Sequence, residues 1–211
     1  MTSLIGSKVE RKEDKRFLTG KGQYTADINL VNQTYGSFVR SPHARAKINK
    51  VDISKAEKYP GVVKILTGDD IAKDKIGGLI AGWKIVSQDG KDMKVPPHPP
   101  LAKDSVNYVG DHIAIVIAET LEQARNAAEV VNVTYNIKKA VVNTKDAMNS
   151  ESIYEGIDSN LCFDFLLGDK VKTDSELSKA DKIIKLDLIN NRLIPNAMEP
   201  RASIGDYNPA S

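Results

Sequence analysis

The hydrophobic pattern is most regular between Tyr108 and Asn136, in YVGDHIAIVIAETLEQARNAAEVVNVTYN. HIAIVIA is a short β-branched apolar run behind Gly110-Asp111, as expected of a strand buried on both faces. Thr120 then precedes Leu121, with Gln123 three residues on, a capping box that opens a helix. Ala124, Ala127, Ala128 and Val131 follow at helical spacing, a narrow stripe of small side chains that can lie close on a sheet. VVNVTY returns to strand alternation, with Val131, Val133 and Tyr135 on one face. The pattern predicts a β-α-β unit.

A fainter version of the same alternation lies upstream. TYGSFVRSPHA reads as a strand running into a Ser-Pro turn, and VVKIL as a second strand. Between them, Ser54 and Glu57 form a further capping box, for a helix that Pro60-Gly61 must end near Tyr59. Two helices serving about six short strands favour an α+β arrangement over a doubly wound sheet. From Asp74 to Asp104 the periodicity disappears. Gly77, Gly78, Gly82 and the four prolines of VPPHPP (Pro96 to Pro100) exclude a helix or a central strand. A loop of that length is either a contact surface for another chain or a rigid surface excursion.

Past Val142 the chain turns polar and turn-rich, as a connector would. SELSKADKIIKLDLINN then predicts a short helix and an alternating strand, with Ile184, Leu186 and Leu188 on one face. A second unit therefore begins near Asn160, too small to bury a core of its own.

Composition removes several functional classes. Thirty basic residues face 28 acidic ones, and the densest run, Lys8 to Arg16, mixes both signs. Nucleic acid, which selects for a one-sign stripe, is not an expected partner. The longest wholly apolar run, Ile113 to Ala118, is too short to span a bilayer, and the first residues carry no secretory pattern. With a single cysteine there is no disulfide framework. These absences point to a cytoplasmic protein, in which the sequons at Asn32 and Asn132 carry no meaning.

Candidate chemistry is sparse. His43, His98 and His112 have no metal-ligand spacing and read as separate histidines. TGKGQY (Thr19 to Tyr24) lacks the glycine pattern of a phosphate loop and reads as a tight turn. No GxSxG is present. Cys162, between Leu161 and Phe163, reads as a packed small hydrophobe, with a minor thiol site as the alternative. Asp69-Asp70 favour a helix N-terminus, and Glu199 in MEPR reads as a turn residue or an ion-pair partner of Arg201. No catalytic, cofactor-binding or metal-ligating residue is expected in this chain.

Six phrases nevertheless occur in order: RKEDKRFLTGKGQYTADI, SFVRSPHARAKI, YPGVVKILTGDDI, LAKDSVNYVGDHIAIVIAET, AAEVVNVTY and MEPRASIGDY. Together they resemble the N-terminal part of the large, molybdopterin-binding subunit of the xanthine dehydrogenase/aldehyde oxidase family. The wording from Trp83 to Pro96 is most similar to the aerobic carbon monoxide dehydrogenase large-chain branch. After Tyr135 the chain departs from the pattern, with NIKKAVV where relatives carry an acidic residue and Leu-Pro.

The resemblance implies an N-terminal extension (1–18), an α/β-hammerhead domain (19–145), a linker (146–160) and the truncated beginning of a molybdopterin-binding domain (161–211). It implies an oxidoreductase subunit working with the remainder of the large subunit, an FAD-binding medium subunit and a 2Fe-2S small subunit. The residues that bind molybdopterin and the glutamate base lie downstream in such proteins. The isolated chain is therefore expected to bind no molybdenum and to oxidise nothing. The alternative is a stand-alone, non-catalytic hammerhead scaffold or binding domain.

Overall fold

The computed structural model of the chain describes residues 5–6, 8–191 and 193–210. Part of the expected N-terminal extension (1–4 and 7), together with Arg192 and Ser211 of the closing stretch, lies outside the described residues. In chain order the elements are α1 (Asp14–Leu18), β1 (Tyr35–Arg40), β2 (Ala46–Asp52), β3 (Val62–Thr67), α2 (Gly68–Lys73), β4 (Ser105–Val106), β5 (His112–Ala118), α3 (Leu121–Glu129), β6 (Asn132–Ile137), α4 (Thr144–Ala147) and α5 (Lys170–Ser178). They fall into two units, Thr34–Ile184 and the described parts of 1–33 with 185–211.

In the larger unit the strands make two three-stranded antiparallel sheets, ordered β1-β5-β3 and β4-β2-β6. This is the α+β class expected from the sequence. The alternation of β5 feeds two cores at once. Ala114 and Val116 pack with Ala56, Ile65 and Ala127 beneath α3. Ile113, on the opposite face, packs with Ala46 and Val106 of the second sheet and with Ala102 of the loop before β4. A strand that is apolar on both faces is needed where two layers meet, and β5 supplies it.

Helix α3 begins as its sequence dictates. The Gln123 backbone N–H donates to Thr120 Oγ1 at 3.2 Å, and the Thr120 N–H donates to Gln123 Oε1 at 3.1 Å. Ala124 and Ala127 are fully buried, which lets the helix sit close to the sheet. Thr120→Ala is expected to lower stability by about 1 kcal/mol, read as a shift of the urea midpoint at unchanged slope. A midpoint within error of the parent would reject that role for the cap.

The β-α-β reading needs correction. Helix α3 does not connect parallel neighbours, because β5 and β6 belong to different sheets and β6 pairs antiparallel with β2. Ser54 caps nothing either. Its N–H and hydroxyl both donate to Asp52 Oδ1, at 3.1 and 2.7 Å, and hold that carboxyl down to about 2. Only a single 3-10 turn, Ala56–Lys58, follows. A box not expected from the sequence forms at α2, where Thr67 N–H and Oγ1–H both donate to Asp70 at 2.8 Å. Its neighbour Asp69 pairs with Lys103 at 3.1 Å.

In the smaller unit, TGKGQY closes α1. Gly20 takes φ +69°, its N–H donates to Phe17 O, and Lys21 N–H donates to Arg16 O, the pairing of a Schellman cap. The tight turn is thus a helix stop. The strand expected at Ile184, Leu186 and Leu188, which spans the end of the larger unit and the start of 185–211, does not form, and all three side chains are exposed. A strand needs a neighbour to take its N–H and C=O groups, and none of the described strands is offered to it.

Candidate functional site

At the start of β5, a polar junction ties β1 to the loops around it. The Ser41 N–H donates to Asp111 O and the Gly110 N–H to Ser41 O, both at 2.8 Å. The buried Asp111 carboxylate accepts the Asn107 N–H at 3.1 Å. Burial, together with the negative charge of Asp111 nearby, pushes the Tyr108 phenol upward. The Ser41 and Gly110 backbone groups and the Asp111 carboxylate are all spent on holding backbone, so the junction braces the fold.

The three histidines do not converge. His43 meets Tyr135 edge-on, with ring centroids 4.8 Å apart, and His98 lies 3.4 Å from the Tyr108 hydroxyl. His112 stacks on Phe38 at 4.3 Å. Among the described residues no group of three His, Cys, Asp or Glu side chains is placed to hold a metal ion. Glu199 makes no ion pair with Arg201 among the described residues, contrary to the pairing considered for MEPR.

His112 is the one strained member. Its Nε2 is buried without a hydrogen-bond partner. Burial, then the Arg40 guanidinium and His98, lower its basicity, and Asp111 opposes them only in part. The unfolded imidazole titrates at about 6.5, so below that pH the unfolded chain binds more protons than the folded one. The contribution of His112 is present in full above that value and is lost as pH falls toward the lowered folded value. His112→Phe, which preserves the stack on Phe38, is expected to flatten the fall in thermal midpoint between about pH 7 and 5. Parallel profiles for parent and variant would dismiss the idea.

A second place has the shape of a binding site. Residues 85–93 form a small hairpin closed by Ser87 N–H to Lys91 O and Met93 N–H to Ile85 O, both 2.8 Å. The returning chain lies alongside it, with Lys94 N–H donating to Cys162 O and Gln88 N–H to Asp164 O, both 2.9 Å. The loop that looked structureless from 74 to 104 therefore holds a hairpin, and it leaves Leu79, Ile80 and Trp83 exposed. Where the chain leaves the hairpin, Lys94 and Pro96 border a cavity of about 310 Å³ whose other walls come from the connector, residues 141–162.

Pro96, Val141, Val142, Ile153, Ile157 and Leu161 supply its apolar wall. Two side chains fix that wall. Arg45 donates to Ser152 O at 2.8 Å and Lys139 O at 3.3 Å, fastening the connector to β2. Asn160 accepts the Ile153 N–H at 2.8 Å and donates to Ala147 O at 2.9 Å and Glu151 O at 3.0 Å. The single cation in the lining, Lys94, is spent on Asp158 and Ser159. Cys162 also lines the cavity; it is exposed, and its thiol lies 3.1 Å from Lys94 O. The packed environment expected for it is absent because its neighbours Leu161 and Phe163 are themselves partly open.

The donor set does not suit a phosphate-bearing pterin cofactor. No free cation or glycine-lined cradle faces the cavity, and no step can be derived through such a group here. Sequence reasoning missed the cavity because its walls come from stretches some 50 residues apart, and none of them is a motif. No helix among the described residues is long and apolar enough to cross a membrane.

Comparison with known proteins adds the context. The family model for the aldehyde oxidase and xanthine dehydrogenase a/b hammerhead domain matches residues 19–139. The chain is 31% identical to the nicotine 6-hydroxylase large subunit of Paenarthrobacter nicotinovorans, over 97% of this chain and 24% of that protein. It is 31% identical to the carbon monoxide dehydrogenase large chain of Afipia carboxidovorans, over 92% of this chain and 24% of that one. The crystal structure of the carbon monoxide-reduced Cu,Mo-CO dehydrogenase superposes with a TM-score of 0.68 at 30% identity, covering 84% of this chain and 23% of that chain. The chain thus spans about a quarter of the length of the relatives it matches.

Proposed function

We propose, since the chain belongs to the aldehyde oxidase and xanthine dehydrogenase family, that it is the N-terminal portion of the large subunit of a molybdenum hydroxylase. The observation that carries this reading is the extent of the match. Nearly all of this chain aligns with one quarter of a large subunit, hammerhead included. The hammerhead (19–145), the linker (146–160) and the opening of the molybdopterin-binding domain (161–211) are the boundaries that go with it. Its role is structural within the subunit. The two-core hammerhead gives a rigid body, and the fastened connector gives the polypeptide beyond it a fixed point of departure.

Molybdopterin then belongs to the rest of the subunit, and electrons leave through FAD-binding and 2Fe-2S partner subunits in the cytoplasm. The experiment is metal analysis of two preparations: the 211-residue chain alone, and the same chain co-purified with the polypeptide that completes the subunit. Molybdenum is expected in the second only. Stoichiometric molybdenum in the chain alone, or failure of the two pieces to associate, would overturn the reading.

A further inference from the structure

We propose that the cavity bordered by Lys94, Pro96 and the connector (141–162) is the seat of an apolar segment from the remainder of the large subunit. The proposal rests on the family reading above and adds where, on this chain, the rest of the subunit is anchored. Three observations select this occupant. The wall is carbon-rich and electrically closed, because Lys94 is already paired with Asp158, so the guest is neutral and apolar.

Apolar side chains also stand open in the lining and in the residues that follow it. Val142 is 88% exposed, and the chain leaving Leu161 carries Phe163, Phe165 and Leu167, all exposed. A small molecule is mostly enclosed by its own pocket and would leave these residues in water, whereas a polypeptide segment covers both. Finally, the wall residues 141–162 follow directly on the hammerhead match at 19–139, while the relatives run to about four times the length of this chain. A segment tethered in the same polypeptide has a high effective concentration at that mouth and outcompetes a free ligand.

The guest need not find a floppy receptor. Arg45 and Asn160 hold the wall through backbone carbonyls and one amide, so little ordering remains to be done on docking. Cys162 is the only cysteine of this chain and lies in the lining, which makes it a natural reporter.

The test measures alkylation of Cys162 by iodoacetamide, followed by peptide mass spectrometry, in the chain alone and in the assembled subunit. Assembly is expected to slow alkylation on the order of tenfold or more. Val142→Asp, at a position exposed in this chain, is expected to leave its circular dichroism and urea midpoint unchanged. The same variant should weaken assembly on the order of a hundredfold, by forcing a carboxylate into the contact. An assembled, molybdenum-containing subunit with Cys162 still fully reactive would sink the proposal while the family reading stands. Protection that appears only after the flavin or iron–sulfur subunits are added would also overturn it, as would equal protection of the chain alone by toluene. Absence of any assembly would overturn both readings together.

Discussion

Ile113→Ala is expected to cost about 2–5 kcal/mol, the loss that a void in a closed core brings. Ile113 is fully buried and is one of the largest side chains to be so. It leaves β5 on the face opposite Ala114 and Val116 and joins Ala46, Ala102 and Val106. Truncation therefore opens a void in the layer that joins the two sheets, and small neighbours such as Ala46 and Ala102 cannot collapse into it. Against a total stability of about 5–15 kcal/mol, such a loss is a large fraction of the whole. Ile113→Val should cost only about 0.5–1.5 kcal/mol, and Val63→Ala, at an exposed position of β3, within about 0.5 kcal/mol. Urea unfolding of the three variants checks the order, and equal losses at Ile113 and Val63 would contradict the two-core description.

Gly68→Ala is expected to cost about 3 kcal/mol, and here two effects of opposite sign compete. Gly68 opens α2, where alanine is the better helix former by up to about 1 kcal/mol. An added Cβ, however, would lie 2.5 Å from Ala102 O and 2.7 Å from Lys103 Cα. These are backbone atoms, and the Ala102 N–H donates to His112 O at 2.6 Å, so the obstacle cannot swing aside without loosening β5. Overpacking against backbone falls at the costly end of its range, and packing wins over propensity. Gly77→Ala, with nothing within 4 Å of its added Cβ, is the control and should be close to neutral. A stabilised Gly68→Ala would mean that α2 does not approach residues 102–103 as closely as described.

How much of this was readable from residues alone depends on how local the determinant is. β5, the Thr120 cap and the alanine stripe of α3 are set within a dozen residues of one another, and they formed where the pattern placed them. Pairing is different. Nothing within HIAIVIA or VVNVTY states that β5 seeks β1 and β3 while β6 seeks β2, and the two strands part company across α3. Ser54 had the right spacing for a cap, but Asp52 lay nearer and took both of its donors. The alternation at Ile184, Leu186 and Leu188 had the right period but no neighbour to pair with. The cavity was the least legible feature, since the side chain that shapes it, Asn160, works entirely through backbone groups of residues 147–153.

The central place of β5 also bears on how the chain is made. β1 and β3 each pair with β5 and not with one another. β1 ends at Arg40 and β5 ends at Ala118, 78 residues later. A ribosome adding roughly 5–20 residues per second needs about 4–16 s to cover that distance. During that interval β1, joined by β3 once Thr67 has been added, presents an open edge with no β5 to close it. Such edges pair readily with other chains. Protection by a nascent-chain chaperone would therefore matter most while residues 41–118 are being synthesised, and would lose its purpose once β5 has slotted between its two neighbours.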